Sequence, residues 1–162
     1  MFKARSGDAW PSSDCILSGK KEITASYVWP TQAEMLDKKA KTQCSSAKTA
    51  ASLAIETAEQ TINNATGMIS EALRIGAPVS SATQYLNLAN TDYTSADNLF
   101  SSGESAYSNN DYSYAVSYYY QAKTKAESAQ EKAANAKSMV DKIIEDYNKA
   151  KTQAEIIKKQ AK

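Results

Sequence analysis

Between Arg74 and Lys123 the chain carries no lysine or arginine, yet those 48 residues hold eight of its ten tyrosines. They are Tyr85, Tyr93, Tyr107, Tyr112, Tyr114, Tyr118, Tyr119 and Tyr120, set among serine, threonine and asparagine, with only four acids: Asp92, Asp97, Glu104 and Asp111. Tyrosine offers a large, stiff contact area with a polar tip, while serine and asparagine adapt their hydrogen bonds. That mixture is the composition of binding surfaces. Tyr93, Tyr107 and Tyr119 fall on apolar stripes and read as core. Tyr112, Tyr114, Tyr118 and Tyr120 do not fit one buried stripe together, so they are the candidates for contact with a partner.

Reactive chemistry finds less support. Histidine is absent, which removes His-based triads, His-ligated metals and the di-iron Glu-x-x-His sites of helical bundles. Cys15 and Cys44 stand far apart and in no CxxC arrangement, so a metal site is not expected. A disulfide between them and two free thiols are the two readings. Glu56, Glu59, Asp141, Glu145 and Asp146 lie off the apolar stripes and read as solvated faces rather than acid–base catalysts. No glycine-rich phosphate loop is present. Asn64-Ala65-Thr66 fits a glycosylation sequon, but Ala65 is on a stripe. These residues point to a protein without catalytic residues, cofactor or metal.

The elements that must position the tyrosines are helices. Five glycines and three prolines in 162 residues leave little room for a β-rich fold. Thr31 and Glu34 form a capping box, and a stripe follows at Leu36, Ala40, Cys44, Ala47, Ala51, Ala54, Ala58, Ile62, Ala65, Ile69 and Ala72, with the 3.6-residue period of a helix. Asn63, Asn64 and Gly67 are weak helix formers inside it, so a kink or break is expected there if anywhere. Gly76-Ala77-Pro78 ends it. Ser81 and Gln84 read as a second capping box, opening a stripe from Ala82 through Leu86, Ala89, Tyr93, Ala96, Phe100 and Gly103 to Tyr107. Asn109-Asn110-Asp111 closes that helix, and Asp111 or Asn110 caps the next.

The third helix has the clearest pattern. Ala115, Tyr119, Ala122, Ala126, Ala129, Ala133, Ala136, Val140, Ile143, Tyr147, Ala150, Ala154, Ile157 and Ala161 follow alternating steps of four and three without a miss. That 3.5-residue period is the mark of a helix lying along other helices in a left-handed supercoil. The pattern predicts an all-α fold: an elongated antiparallel three-helix bundle with alanine-rich, coiled-coil-like seams. Its helices run over 31–75, 81–108 and 111–161. Residues 31–162 form the bundle, and residues 1–30, with both tryptophans, form an N-terminal arm or short β-hairpin.

The helices differ in length. In an up-down-up arrangement the third extends about 30 Å beyond the first connection, at 1.5 Å per residue. The extending part carries Ile143, Ile144, Tyr147, Ile156 and Ile157, an apolar stripe of the kind that marks association sites.

The stretch Gly103 to Ala122 resembles the middle of a tetratricopeptide repeat over about 20 residues. Gly103 matches the small residue of that repeat's first helix, and Tyr107 lies one place beyond its usual aromatic. Asn110-Asp111-Tyr112 matches its turn, and Ala115, Tyr119 and Ala122 its small–aromatic–small second helix. The expected proline is missing, Glu127 continuing the helix instead, and no second copy stands one repeat length away. The resemblance implies close helix packing at the turn and no peptide-binding residues, because the groove of such proteins is built by stacked neighbours.

The function expected is therefore a non-enzymatic helical interaction or scaffold module, binding a protein partner or a second copy of itself. Candidate contacts are Tyr112, Tyr114, Tyr118, Tyr120, Ile143, Tyr147 and Ile157. The alternatives are a ligand-sensing helical ectodomain of a larger surface protein, with a pocket near the tyrosines, and a lipid-surface binder. A net charge of +1 gives no bulk attraction to nucleic acid or anionic membrane. The amphipathic faces are poor in Trp, Phe and Leu, which argues against the lipid reading. The start of the chain does not read as a signal peptide and no run is long enough to span a bilayer, so the expectation is a cytoplasmic location, unless the sequence is part of a longer extracytoplasmic protein.

Overall fold

The computed structural model describes residues 31–161. The N-terminal arm, its hairpin and Cys15 lie outside the described residues. Three helices follow in order: α1 (Gln32–Arg74), α2 (Ser80–Ser108) and α3 (Tyr112–Gln160). Among the described residues there is no strand, and this part of the chain is all-α. By its contacts the chain divides into Met1–Thr42 and Gln43–Lys162.

Local chemistry sets the helix ends. At the start of α1 the Thr31 amide donates to Glu34 Oε2 at 2.6 Å and the Glu34 amide to Thr31 Oγ1 at 3.2 Å, the reciprocal pair the sequence predicts. α1 then runs unbroken past Asn63, Asn64 and Gly67. Ile62, Ala65 and Ile69 on the same turns are buried, and their packing overrides the weak local propensity.

Both connections use the same device. After α1, Gly76 takes φ 80°. Its amide donates to the Leu73 carbonyl at 3.0 Å, and the Ala77 amide to the Ala72 carbonyl at 2.9 Å. After α2, Asn110 takes φ 60°, its amide donating to the Tyr107 carbonyl at 3.0 Å and the Asp111 amide to the Ala106 carbonyl at 2.9 Å. Each is a Schellman closure with a left-handed residue that glycine or asparagine tolerates best. Asp111 then caps α3 by accepting from the Tyr114 amide at 3.5 Å.

The start of α2 corrects the sequence reading. The Ser81–Gln84 box is not formed: α2 begins at Ser80, and its cap, Val79, makes no side-chain hydrogen bond. Val79 and Ala77 are buried with Ala82, and seating them brings Ser81 inside the first turn, beyond the position where a hydroxyl can cap.

From Gln43 onward the three helices pack together around alanine. One cluster joins Ala58, Ile62, Ala65, Ile69 and Ala72 of α1 to Ala82, Leu86, Ala89 and Ala96 of α2 and to Ala126, Ala129, Ala133, Ala136 and Val140 of α3. A second gathers Cys44, Ala47 and Ala51 with Ala115, Tyr119 and Ala122 near the α2–α3 turn. Several of the larger aliphatics lie outside: Leu53, Leu73 and Leu88 are all more than half exposed. Small seam residues bring helix axes close but each removes little apolar area from water, so stability accumulates along the length of the helices.

Close approach is tightest at Gly103. A Cβ there would lie 2.6 Å from Tyr119 Cε1. The Tyr119 ring is fully buried and packs against Phe100, with ring centroids 5.3 Å apart. Gly103 of α2 is therefore in direct contact with Tyr119 of α3.

Burial along α3 ends abruptly. Every heptad core residue from Ala115 to Val140 is fully buried. Ile143 and Ile144 are half-buried against the end of the core, which corrects the expectation that both are bare. Residues 145–161 are all exposed.

Candidate functional site

Four places on the helices are candidate sites: two polar links in the packed part, a groove at the α2–α3 turn, and the exposed end of α3.

The first polar link is Asp92, the one buried charged residue among those described. Its carboxylate accepts from Lys125 Nζ at 3.1 Å, from Ser128 Oγ at 2.8 Å and from Lys132 Nζ. The hydrogen bond from Lys132 is the largest influence on its pKa. With help from Ser128 and Lys125 it overcomes the cost of burial and holds the carboxyl at about 2. The second link is Glu104, which accepts from Lys48 Nζ of α1 at 2.7 Å and from the Tyr119 hydroxyl. Burial alone would raise the Glu104 pKa, but these two donors outweigh it and hold it below the usual carboxylate range. Tyr119 is pushed up by burial and by Glu104, and Cys44 chiefly by burial. Cys44 carries a free, buried thiol.

These links explain how Asp92 and Glu104 are satisfied in a stretch without basic residues: the cations come from α1 and α3. Asp92 and Glu104 escaped the sequence reading as pairing residues. A signal existed, since Asp92 sits three residues after the core Ala89, while Lys125, Ser128 and Lys132 each stand one residue before a core alanine. Both carboxylates accept from donors on neighbouring helices, so each polar group is satisfied while it links α2 to α3 or α1.

The tyrosines do not act as one group. Tyr114 and Tyr118 line an open groove of about 380 Å³ with Ser102, Ser105, Ala106, Asn109 and Asp111. Tyr112 turns to the turn itself, stacking edge-on to Tyr107 with centroids 5.4 Å apart and donating to Asn110 Oδ1 at 2.8 Å. Tyr120 is exposed and is not among the residues lining the groove. Tyr93 and Tyr107 are half-buried against the core, as their stripe positions predict.

At the end of α3, Ile143 closes the packed core, while Tyr147 and Ile157 stand 38% and 65% exposed. Ile156 is half exposed beside them. The heptad therefore continues into solvent with its spacing intact. Lys149 pairs with Glu145 at 2.5 Å on the opposite, wet face.

A family model described as Domain of unknown function (DUF4398) matches residues 60–142, half of the chain. The chain belongs to the DUF4398 family. The matched segment takes in the second part of α1, all of α2 and α3 as far as Lys142, two residues past Val140, where full burial ends. The exposed end of α3 lies beyond the DUF4398 segment. The tetratricopeptide-like stretch lies inside it, so the match there is to DUF4398. No curated protein and no solved structure matches the chain.

Proposed function

We propose that this DUF4398 chain is a non-enzymatic helical interaction module: an antiparallel, coiled-coil-like bundle with alanine seams that holds the end of α3 out as a docking arm. The observation that carries this reading is the heptad beyond Val140. Tyr147, Ala150, Ala154, Ile157 and Ala161 keep core spacing while residues 145–161 are exposed. A seam of this period is satisfied by packing against another helix, and an uncovered apolar stripe marks such a site. The packed segment supplies the rigid base, with its two polar links tying α3, and at Glu104 also α1, to α2.

The test uses the full chain and two synthetic heptad helices with the same isoleucine seam, one with glutamate flanks and one with lysine flanks, followed by fluorescence anisotropy. At least one should bind, and Ile157→Asp should weaken it tenfold or more while leaving helix content unchanged. Binding of neither helix at hundreds of micromolar would contradict the docking reading.

The groove beneath Tyr114 and Tyr118 favours a second reading, ligand sensing. Its walls are hydroxyl, amide and aromatic with a single carboxylate, which suits a small neutral polar ligand. Tyr114→Ala and Tyr118→Ala would then remove ligand-induced stabilisation that Tyr120→Ala leaves intact.

A further inference from the structure

The arm carries a charge pattern that the packed segment has already used once. Within the bundle, Lys125 and Lys132 stand one heptad apart beside the α3 seam, and together they hold one carboxylate of the neighbouring helix, Asp92. On the arm, Lys151 and Lys158 also stand one heptad apart beside the seam, directly after the core residues Ala150 and Ile157. They border the opposite edge of the stripe from the one Lys125 and Lys132 border. Both are exposed, and neither is in an ion pair in this structure. The other edge of the arm's seam carries Gln153 and Gln160, so from Tyr147 onward no acid flanks the stripe.

We infer that the arm's partner is an amphipathic helix with an apolar seam and acidic residues on its flank, one of them set to face Lys151 and Lys158 as Asp92 faces Lys125 and Lys132. This rests on the docking reading of the arm and names the chemistry of its occupant. Two observations select it. The arm's seam continues the interface that α3 already makes with α1 and α2, so the occupant is a helix. The cations at its edge are in no ion pair among the described residues, and the nearest acid, Glu155, lies on the outer side of both rather than across the seam, so a helix supplying carboxylates gains pairs that a neutral or basic one does not.

A second copy of the chain fits less well. A parallel copy would run its α3 into the space that α1 and α2 fill as far as Val140. An antiparallel copy, matching Tyr147 to Ile157 and Ala150 to Ala154, would set Lys151 against its own counterpart and bring no acid to Lys158. An anionic bilayer also offers negative charge. However, the arm's stripe is three alanines, one tyrosine and one isoleucine, with Ile156 beside it, which is a narrow face for insertion into a lipid surface.

The experiment compares the two synthetic helices against wild type and the double variant K151E/K158E at low and high salt. Vesicles containing phosphatidylserine and the solution mass of the free chain are measured alongside. The glutamate-flanked helix should bind wild type at least tenfold tighter than the lysine-flanked one. High salt should shrink that ratio, and K151E/K158E should reverse it. Equal affinities, or a preference unchanged by K151E/K158E, overturn the inference while leaving the docking reading in place. So does a dimer of the free chain that Ile157→Asp dissolves, or vesicle binding tighter than that of either helix. If neither helix binds, it is the docking reading itself that fails.

Discussion

The two halves of α3 carry the same heptad and meet opposite fates. From Ala115 to Val140 each core residue is sealed by α1 and α2. From Tyr147 to Ala161 residues at the same spacing face water. Composition changes at the same place, since the sealed half is alanine with one tyrosine and one valine, whereas the arm mixes alanine with tyrosine and isoleucine. A heptad records that a helix face is built to be covered. The lengths of the neighbouring helices decide whether the cover comes from the same chain. Here α2 has 29 residues against 49 in α3, and the cover runs out.

The sharpest way to break this comparison is to place a charge in each half. Ala133→Asp puts an unpaired carboxylate at a fully buried seam position and should cost about 3–5 kcal/mol. Ile157→Asp on the arm should stay within about 0.5 kcal/mol. Urea denaturation followed by circular dichroism measures both. Comparable losses at the two sites would mean that the arm is covered.

Next in size is Gly103→Ala. The added methyl meets a fully buried ring at 2.6 Å, so either Tyr119 or the helices must shift. Overpacking of this kind costs about 1–3 kcal/mol, read as a lowered melting temperature. Tyr119→Leu in the same chain should recover part of the loss by vacating the space.

Asp92 gives an effect of about 2 kcal/mol with a defined pH window. Its folded pKa, about 2, lies below the ordinary 3.8. Its contribution is therefore complete above about pH 4 and is lost as the pH falls through 2. Stability measured between those limits should decline in wild type and decline less in Asp92→Asn. That variant should already be weaker at neutral pH, because Lys125 and Lys132 lose their shared counter-charge.

The smallest effect belongs to the other exposed helix end. Thr31→Ala removes one half of the capping box and should cost about 0.5–1 kcal/mol of local helix stability. It should show as faster amide exchange in the first turn of α1 with no change in the global melting temperature.

Much of this architecture is legible in the sequence because its determinants are local or periodic. Gly76 and Asn110 fall where a left-handed residue is needed, Asp111 is a good cap, and the alanine stripes have no competing pattern. The reading of Ser81 and Gln84 failed because the motif is local while the start of α2 is decided by burial of Val79 and Ala77. The Asp92 link was hidden for a related reason. A single acid beside a stripe looks solvated until the helix that brings Lys125 and Lys132 is in place. Among the tyrosines, stripe position separated Tyr119 from Tyr114 and Tyr120. It could not show that Tyr112 would fold back onto Tyr107, since that depends on the geometry of the turn.

The central claim, that α3 changes from sealed core to free docking arm just after Val140, is tested most directly by amide hydrogen exchange along α3 in the purified chain. Protection should be high from Ala122 to Val140, fall across Ile143 and Ile144, and be low from Ala150 to Gln160, with the arm becoming protected on addition of the glutamate-flanked helix. Protection that continues undiminished to Ile157 in the free chain would contradict it.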